Sequence, residues 1–126
     1  PFGHGLSYTS FDYSNLRAIP PKGNASVAAF EFEISNTGDV AGKEVIQGYI
    51  NVPDSKIDRP RKELKKFTKI YLEAGETQKV KVELSERELS FWNVDLHAWQ
   101  VEPAEYIFEI GASSNDIRGS ASVWLG

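Results

Sequence analysis

The residues of this chain that could carry chemistry are eighteen Asp and Glu, two histidines and three tryptophans. Hydrolysis of a glycosidic bond needs two carboxyl groups about 5 to 9.5 Å apart across a pocket. Many of the acidic residues instead alternate with apolar residues along predicted strands, a pattern typical of a solvated face. His4 and His97 fall in different turns and lack the spacing of metal ligands. Because serine-hydrolase, P-loop and dinucleotide motifs are also missing, the sequence predicts no catalytic residue, metal site or cofactor.

The three tryptophans are a candidate binding platform. Trp92, Trp99 and Trp124, with Tyr71, could stack on sugar rings through their aromatic faces. In a domain of this size, tryptophans more often pack in a core or an interface, so both interpretations stay open.

A basic segment runs from Lys56 to Lys69. It holds seven of the fourteen basic residues and two of the eighteen acidic ones, so it carries +5 and the rest of the chain −9. Such a segment could contact an acidic partner surface or a polyanion. It could equally be a solvated edge strand, where lysines discourage edge-to-edge pairing. Aromatic residues are not interleaved with base-reading ones, and no nucleic-acid partner is predicted.

Composition limits the class of protein. The 126 residues suffice for one domain with a single core. The absence of cysteine excludes disulfides and thiolate ligands. The compartment stays open, with an extracellular or periplasmic location favoured over a cytoplasmic one. No apolar run approaches the roughly 20 residues of a membrane span, and no membrane partner is predicted.

The elements that must position these side chains are strands, and the clearest lie between Val27 and Pro53. Ala28, Phe30, Phe32 and Ile34 alternate with polar residues, which predicts one buried face. A tight turn at 36–39, with Asn and Gly free to adopt positive φ, predicts a hairpin to a second strand at 44–52. Because that strand is apolar on both sides, Val45 and Tyr49 need cover from a crossing loop or another domain. They are therefore candidate docking residues.

The remaining pattern predicts an antiparallel β-sandwich. Irregular spacing of the apolar residues at 64–72 indicates a bulged strand. Ser85 and Glu88 match a capping box, so one helical turn is expected there. Segments 91–93 and 98–101 predict a short hairpin, and strands at 105–110 and 117–125 close the domain. Seven or eight short strands with turns between them predict an immunoglobulin-like or fibronectin III-like fold.

Two surface features complete the prediction. Asn24-Ala25-Ser26 fits the N-glycosylation pattern and lies in an expected loop, so Asn24 is a possible glycosylation site. At the start of the chain, Phe2, Leu6 and Tyr8 are apolar anchors in a glycine-punctuated segment. A free tail would rarely carry so much apolar area, so these three side chains are expected to follow a neighbouring surface.

Five ordered blocks carry a family resemblance over essentially the whole chain: PFGHGLSYTSFDYS, ISNTGDVAGKEVIQGYI, RPRKELKKFTKIYLEAGE, LSFWN and EYIFEIGASSNDI. Together they resemble the C-terminal fibronectin III-like domain of family 3 glycoside hydrolases, whose best-known members are β-glucosidases. The family pattern often has an aromatic residue where His4 stands, a larger apolar residue at Gly48, and glycine at Lys66. At Gly48 a neighbouring side chain is therefore expected to fill the space.

The resemblance implies a role without catalysis. In the family, the nucleophilic aspartate and the general acid lie on two preceding domains, so no catalytic residue carries over to this sequence. Residues 1–9 are similar to the linker that leaves the second catalytic domain, and 10–126 to the sandwich. The chain is thus expected to be an accessory domain of a retaining β-glucosidase-type enzyme, with the catalytic domains as partners. The alternative is a module that binds polysaccharide or another polymer through the tryptophans and the basic segment.

Overall fold

The computed structural model describes residues 9–60 and 62–126, and most of them form antiparallel strands. The elements are β1 Phe11–Ile19, β2 Ser26–Asn36, β3 Gly42–Asn51, β4 Glu63–Leu72, β5 Thr77–Ser85, α1 Glu86–Leu89, β6 Ser90–Asn93, β7 Ala98–Val101, β8 Ala104–Ser113 and β9 Asp116–Leu125. A three-stranded sheet has the order β1–β2–β5, and a four-stranded sheet has the order β4–β3–β8–β9. A short hairpin, β6–β7, follows a single helical turn, α1. In the described part, no helix is long and apolar enough to cross a membrane.

The core lies between the two main sheets, as the alternation in the sequence predicts. The inward residues of β2 are almost completely buried, and those of β8 meet them from the other sheet. Phe30 and Phe108 stack across the interface with ring centroids 4.7 Å apart. Because both rings have no exposed surface, each contributes roughly 1.5–3 kcal/mol of burial to stability. The predicted sandwich is confirmed.

The predicted hairpin between β2 and β3 is wrong. These strands lie in different sheets, with β2 paired to β1 and β5 and β3 paired to β4 and β8. The turn residues are instead the crossing point between the sheets. Neither Asn36 nor Gly38 has a positive φ. Gly38 is required because a Cβ there would lie 1.9 Å from Thr9 Oγ1.

Asn36 holds this crossing together. Its side chain is 1% exposed, and its amide nitrogen donates to the carbonyls of Val40 and Leu72 at 2.9 and 3.1 Å. Its amide oxygen accepts from Thr9 Oγ1 at 2.6 Å and from the Gly38 N–H at 2.9 Å. A buried amide with every hydrogen bond made thus links the segment just before β1 with β2 and β4 at one end of the sandwich.

The predicted bulge in β4 is confirmed, and it changes which side chains face outward. The register with β3 shifts between Gly48 and Tyr49, so that Lys65 has no opposite residue. Leu64 consequently shares the outer face with Phe67, although the two are an odd number of residues apart. On the inner face, a Cβ at Gly48 would lie 2.7 Å from the Phe108 ring. Phe108 is thus the neighbour that fills the space at Gly48.

The helical turn α1 forms through the predicted capping box. Ser85 Oγ accepts from the Glu88 N–H at 3.1 Å, and Glu88 Oε1 accepts from the Ser85 N–H at 2.9 Å. The turn leads into the β6–β7 hairpin, whose strands have four residues each. The main sheets hold seven strands, and the hairpin brings the count to nine in the described residues. Strands this short show too little alternation to be counted with certainty from sequence.

Candidate interaction surfaces

The outer face of the three-stranded sheet is polar and internally paired. Arg17 forms a salt bridge with Glu31, which in turn lies opposite Lys81 on β5. Glu33 lies opposite Lys79, and the hydroxyls of Ser35 and Thr77 are 2.7 Å apart. In the middle of this face, two cross-strand rows therefore carry opposite charges, while at one end Ile19 lies opposite Ala29. Such a face is stable in water without a partner.

The outer face of the four-stranded sheet differs, because its edge strand presents large apolar side chains. Leu64, Phe67 and Tyr71 are 49%, 57% and 54% exposed. We call Leu64, Phe67 and Tyr71 the β4 row. They lie opposite Tyr49, Gln47 and Lys43 of β3. Leu64 and Phe67 are among the apolar residues at 64–72 that predict the strand, but their spacing does not show that both face outward, because the bulge reverses the alternation. Trp124 of β9 lies on the same face and is 66% exposed.

The predicted docking residues of β3 are less available than expected. Tyr49 is only 9% exposed, and its hydroxyl donates to Gln47 Oε1. Leu64 and Glu109 lie opposite it on the two neighbouring strands. The prediction that Tyr49 needs cover from a crossing loop or another domain is therefore wrong. Val45 is half-buried and keeps some outward area, while Phe2, Leu6 and Tyr8 lie outside the described residues.

The basic segment is largely neutralised by nearby carboxylates. Arg59 pairs with Glu102 at 2.8 Å and Lys66 with Glu88 at 2.9 Å. Lys62 reaches Glu109 at 3.2 Å, and Lys65 lies 3.8 Å from Glu63. Four of its seven basic side chains are thus engaged within the domain. Among the described residues, the segment therefore offers less free positive charge than its sequence suggests, which weakens this part of the polymer-binding alternative.

Glu102 is the best-connected carboxylate among these pairs. It is 8% exposed and accepts hydrogen bonds from Ser55 Oγ at 2.6 Å, the Lys56 N–H at 2.7 Å and Arg59 Nη2 at 2.8 Å. Burial raises the pKa of this carboxyl, but the hydrogen bonds and the Arg59 charge outweigh burial and leave the pKa below its ordinary value. Its backbone carbonyl accepts from the Tyr106 hydroxyl at 2.7 Å. Glu102 therefore orders the 53–60 loop, and no sequence motif identified it.

The tryptophans do not form one platform. Trp92 and Trp99 are opposite each other on the β6–β7 hairpin, with ring centroids 5.5 Å apart and planes at 69°. Arg87 lies 3.8 Å from the centre of the Trp99 ring, and His97 packs edge-on against Trp92 at 5.7 Å. Trp124 and Tyr71 belong to the four-stranded sheet instead. Because a lone two-stranded hairpin is marginal in water, the Trp pair and its Arg87 cover serve first to stabilise the hairpin.

The possible glycosylation site lies where the sequence predicted. Asn24 is exposed in the turn between β1 and β2, and the Ser26 N–H closes this turn on the Gly23 carbonyl at 3.1 Å. Within residues 9–60 and 62–126, no group of three His, Asp or Glu side chains is arranged to hold a metal ion.

Comparison with known proteins agrees with this architecture. A family model described as fibronectin type III-like domain matches residues 44–114, more than half of the chain. The chain belongs to the fibronectin type III-like domain family. This domain is also 38% identical to a solved Bifidobacterium adolescentis GH3 β-glucosidase, with a TM-score of 0.84. The alignment covers 99% of the domain but only 18% of that enzyme.

Curated relatives show the same proportion. The domain is 38% identical over 125 residues to the exo-α-(1→6)-L-arabinopyranosidase of Bifidobacterium breve, covering 99% of the domain and 16% of that protein. It is 45% identical over 121 residues to the β-glucosidase of Kluyveromyces marxianus, and this match covers 93% of the domain and 14% of that protein. The fibronectin type III-like domain therefore spans about a sixth of the length of the relatives it matches.

Proposed function

We propose that this domain is a non-catalytic accessory domain of a family 3 retaining glycoside hydrolase of the β-glucosidase type. It packs against the catalytic domains of the same polypeptide and stabilises them. One observation carries the proposal: the domain matches such enzymes over nearly all of its own length while covering only a small part of theirs.

The described surface is consistent with a structural accessory role rather than a catalytic one. On the three-stranded sheet, Glu31 forms a salt bridge with Arg17, and Glu102 is committed to the 53–60 loop. Glu102 accepts three hydrogen bonds from within the domain, so it is poorly placed to exchange a proton with a substrate. The half-exposed apolar residues of β4, in contrast, are the kind of surface that a neighbouring domain covers.

The proposal is tested with the full-length enzyme, the same enzyme lacking residues 10–126, and the 126-residue chain alone. We expect the isolated chain to show no hydrolysis of an aryl β-glucoside. The enzyme that lacks the domain should unfold at a lower temperature than the full-length enzyme. Hydrolysis by the isolated chain, or an equally stable and active enzyme without the domain, would contradict the proposal.

The polymer-binding alternative is tested in the same series. The isolated chain is mixed with soluble and insoluble glucans, and its retention is compared with that of Trp92→Ala and Trp99→Ala variants. We expect no retention, since the rings of both tryptophans are engaged by each other, His97 and Arg87. Retention that either substitution abolishes would replace the accessory role with a binding role.

A further inference from the structure

The β4 row is an exposed apolar surface that the sandwich itself does not explain. Leu64, Phe67 and Tyr71 project from one side of β4, each about half exposed. The other side of the same strand already serves the core through Leu72, fully buried, and the half-buried Ile70. The outward residues thus add nothing to the core between the sheets.

Keeping these residues outside has a cost. The bulge at Lys65 gives up regular pairing, and it is this bulge that turns Leu64 to the outer face. An edge strand with exposed apolar side chains is also prone to pair with other chains. Contiguous apolar patches on soluble domains mark contact sites more often than isolated exposed residues do. Together these features indicate a surface that another surface covers.

We propose that the β4 row is the face through which this domain packs against the catalytic part of its own polypeptide. This inference rests on the proposed function and specifies the contact. The relatives carry more than four fifths of their length outside the matched region, so a covering surface is available in the same chain. A covalently linked partner is present at high effective concentration, and a modest apolar row is then enough to hold it.

The charges beside the row define the chemistry of that partner surface. Lys43 lies opposite Tyr71, and Lys69 lies between Phe67 and Tyr71 on the same face of β4, opposite Val45. Both lysines are exposed, and neither forms a salt bridge with a described residue, unlike Lys62, Lys65 and Lys66. The row therefore fits an apolar surface that is rimmed by Asp or Glu side chains.

A second apolar patch provides a matched control. Val94 and Leu96 at the tip of the β6–β7 hairpin are 71% and 60% exposed, which is close to the exposure of Phe67. The domain contains no cysteine, so a labelled peptide from this domain reports on the introduced thiol alone. We therefore compare Phe67→Cys and Leu96→Cys in the full-length enzyme, by the rate of maleimide labelling with mass spectrometry of the labelled peptide. Leu64→Cys serves as a second probe of the row in case Phe67→Cys folds poorly.

We expect the thiol at Phe67, and that at Leu64, to react at least about tenfold more slowly than the thiol at Leu96 in the folded enzyme. After unfolding in guanidinium chloride, all three should react at similar rates. Equal rates in the folded enzyme, or a protected Leu96 position with a reactive β4 row, would overturn the proposed contact. If removal of residues 10–126 lowers stability while the β4 row labels rapidly, the accessory function stands and only this face is wrong. If removal changes nothing, the proposed function itself fails.

Discussion

The two outer faces of the sandwich solve the problem of exposure in different ways. On the three-stranded sheet, Arg17, Glu31 and Lys81 form a cross-strand series of opposite charges that water solvates well. On the four-stranded sheet, the β4 row leaves apolar area uncovered beside two lysines that form no salt bridge with a described residue. The two sheets share one core, so the difference does not arise from the interior.

The difference between the two outer faces indicates which of them a partner domain covers. A face whose charges satisfy one another gains little from an interface, since its pairs would have to be desolvated. A face with half-exposed aromatic and aliphatic side chains gains free energy from every square ångström that a partner covers. The asymmetry therefore supports our proposal that the four-stranded sheet faces the catalytic part of the polypeptide and the three-stranded sheet faces solvent.

The largest expected effects are in the shared core and should be the same for both sheets. Phe30→Ala and Phe108→Ala each remove one of two stacked, fully buried rings. Each should lower the free energy of unfolding by about 3–5 kcal/mol, measured by urea denaturation. If one costs less than about 1 kcal/mol, the two sheets do not contribute equally to one core.

The next effect compares a buried ion pair with an exposed one. Glu102→Ala leaves Arg59 without its carboxylate in a site where both side chains are about nine-tenths buried, and we expect a loss of about 3 kcal/mol. Glu31→Ala on the charged face, where Arg17 is 43% exposed, should cost less than about 1 kcal/mol. Similar losses in the free energy of unfolding from both substitutions, measured by urea denaturation, would mean that the Arg17–Glu31 pair stabilises the domain more than an exposed salt bridge usually does.

The Glu102 pair also predicts a pH dependence. The pKa of Glu102 is lower in the folded state than the ordinary value of 4.5. The contribution of the ionised carboxylate to stability is therefore fully present above pH 4.5. The contribution is lost as the pH falls through the lower, folded-state pKa. The stability difference between the natural chain and Glu102→Gln should thus shrink as pH falls below about 4.5. A difference that stays constant between pH 7 and pH 3 would show that the carboxylate charge does not stabilise the loop.

A smaller effect comes from the inner face of the four-stranded sheet. Gly48→Ala places a methyl group 2.7 Å from the Phe108 ring, which is held by Phe30, and should destabilise by about 1–3 kcal/mol. Gly119→Ala on β9 is the matched control, because its nearest neighbour would be Leu16 at an ordinary 3.5 Å. Thermal unfolding of both variants measures the difference, and equal midpoints would show that Phe108 can move aside.

The smallest expected effect is on the β4 row in the isolated chain. Phe67→Asp changes a side chain that is 57% exposed, so the free energy of unfolding should change by no more than about 0.5 kcal/mol. Leu96→Asp on the hairpin should behave alike. A loss of several kcal/mol from Phe67→Asp alone, in urea denaturation, would mean that the row packs within the domain rather than against a partner.

Local pattern predicted the elements well but not their connections. The alternation in β2 and β8 and the Ser85–Glu88 capping box each depend on neighbours in sequence, and the structure shows them as predicted. The Asn36–Gly38 turn was misassigned because the same residue types serve a hairpin and a crossing between sheets. Only the contacts of Asn36 with Thr9 and Leu72, far away in sequence, distinguish the two.

The candidate surfaces were predicted less well, for a related reason. One bulge residue, Lys65, decides that Leu64 faces outward, and the position of a bulge depends on the partner strand. From sequence alone, Tyr49 is predicted to be an uncovered outward side chain, because its cross-strand neighbours Leu64 and Glu109 are not known. Glu102 carries no motif, since its three donors come from a loop more than 40 residues earlier in the chain.

Amide hydrogen exchange compares the two faces most directly, because β4 and β5 are both edge strands, one in each sheet. Exchange is measured over Glu63–Leu72 and Thr77–Ser85 in the full-length enzyme and in the isolated chain. If the four-stranded sheet packs against the catalytic domains, β4 amides should exchange at least about tenfold more slowly in the full-length enzyme, while β5 amides stay unchanged. Slower exchange in β5 with no change in β4 would contradict the account.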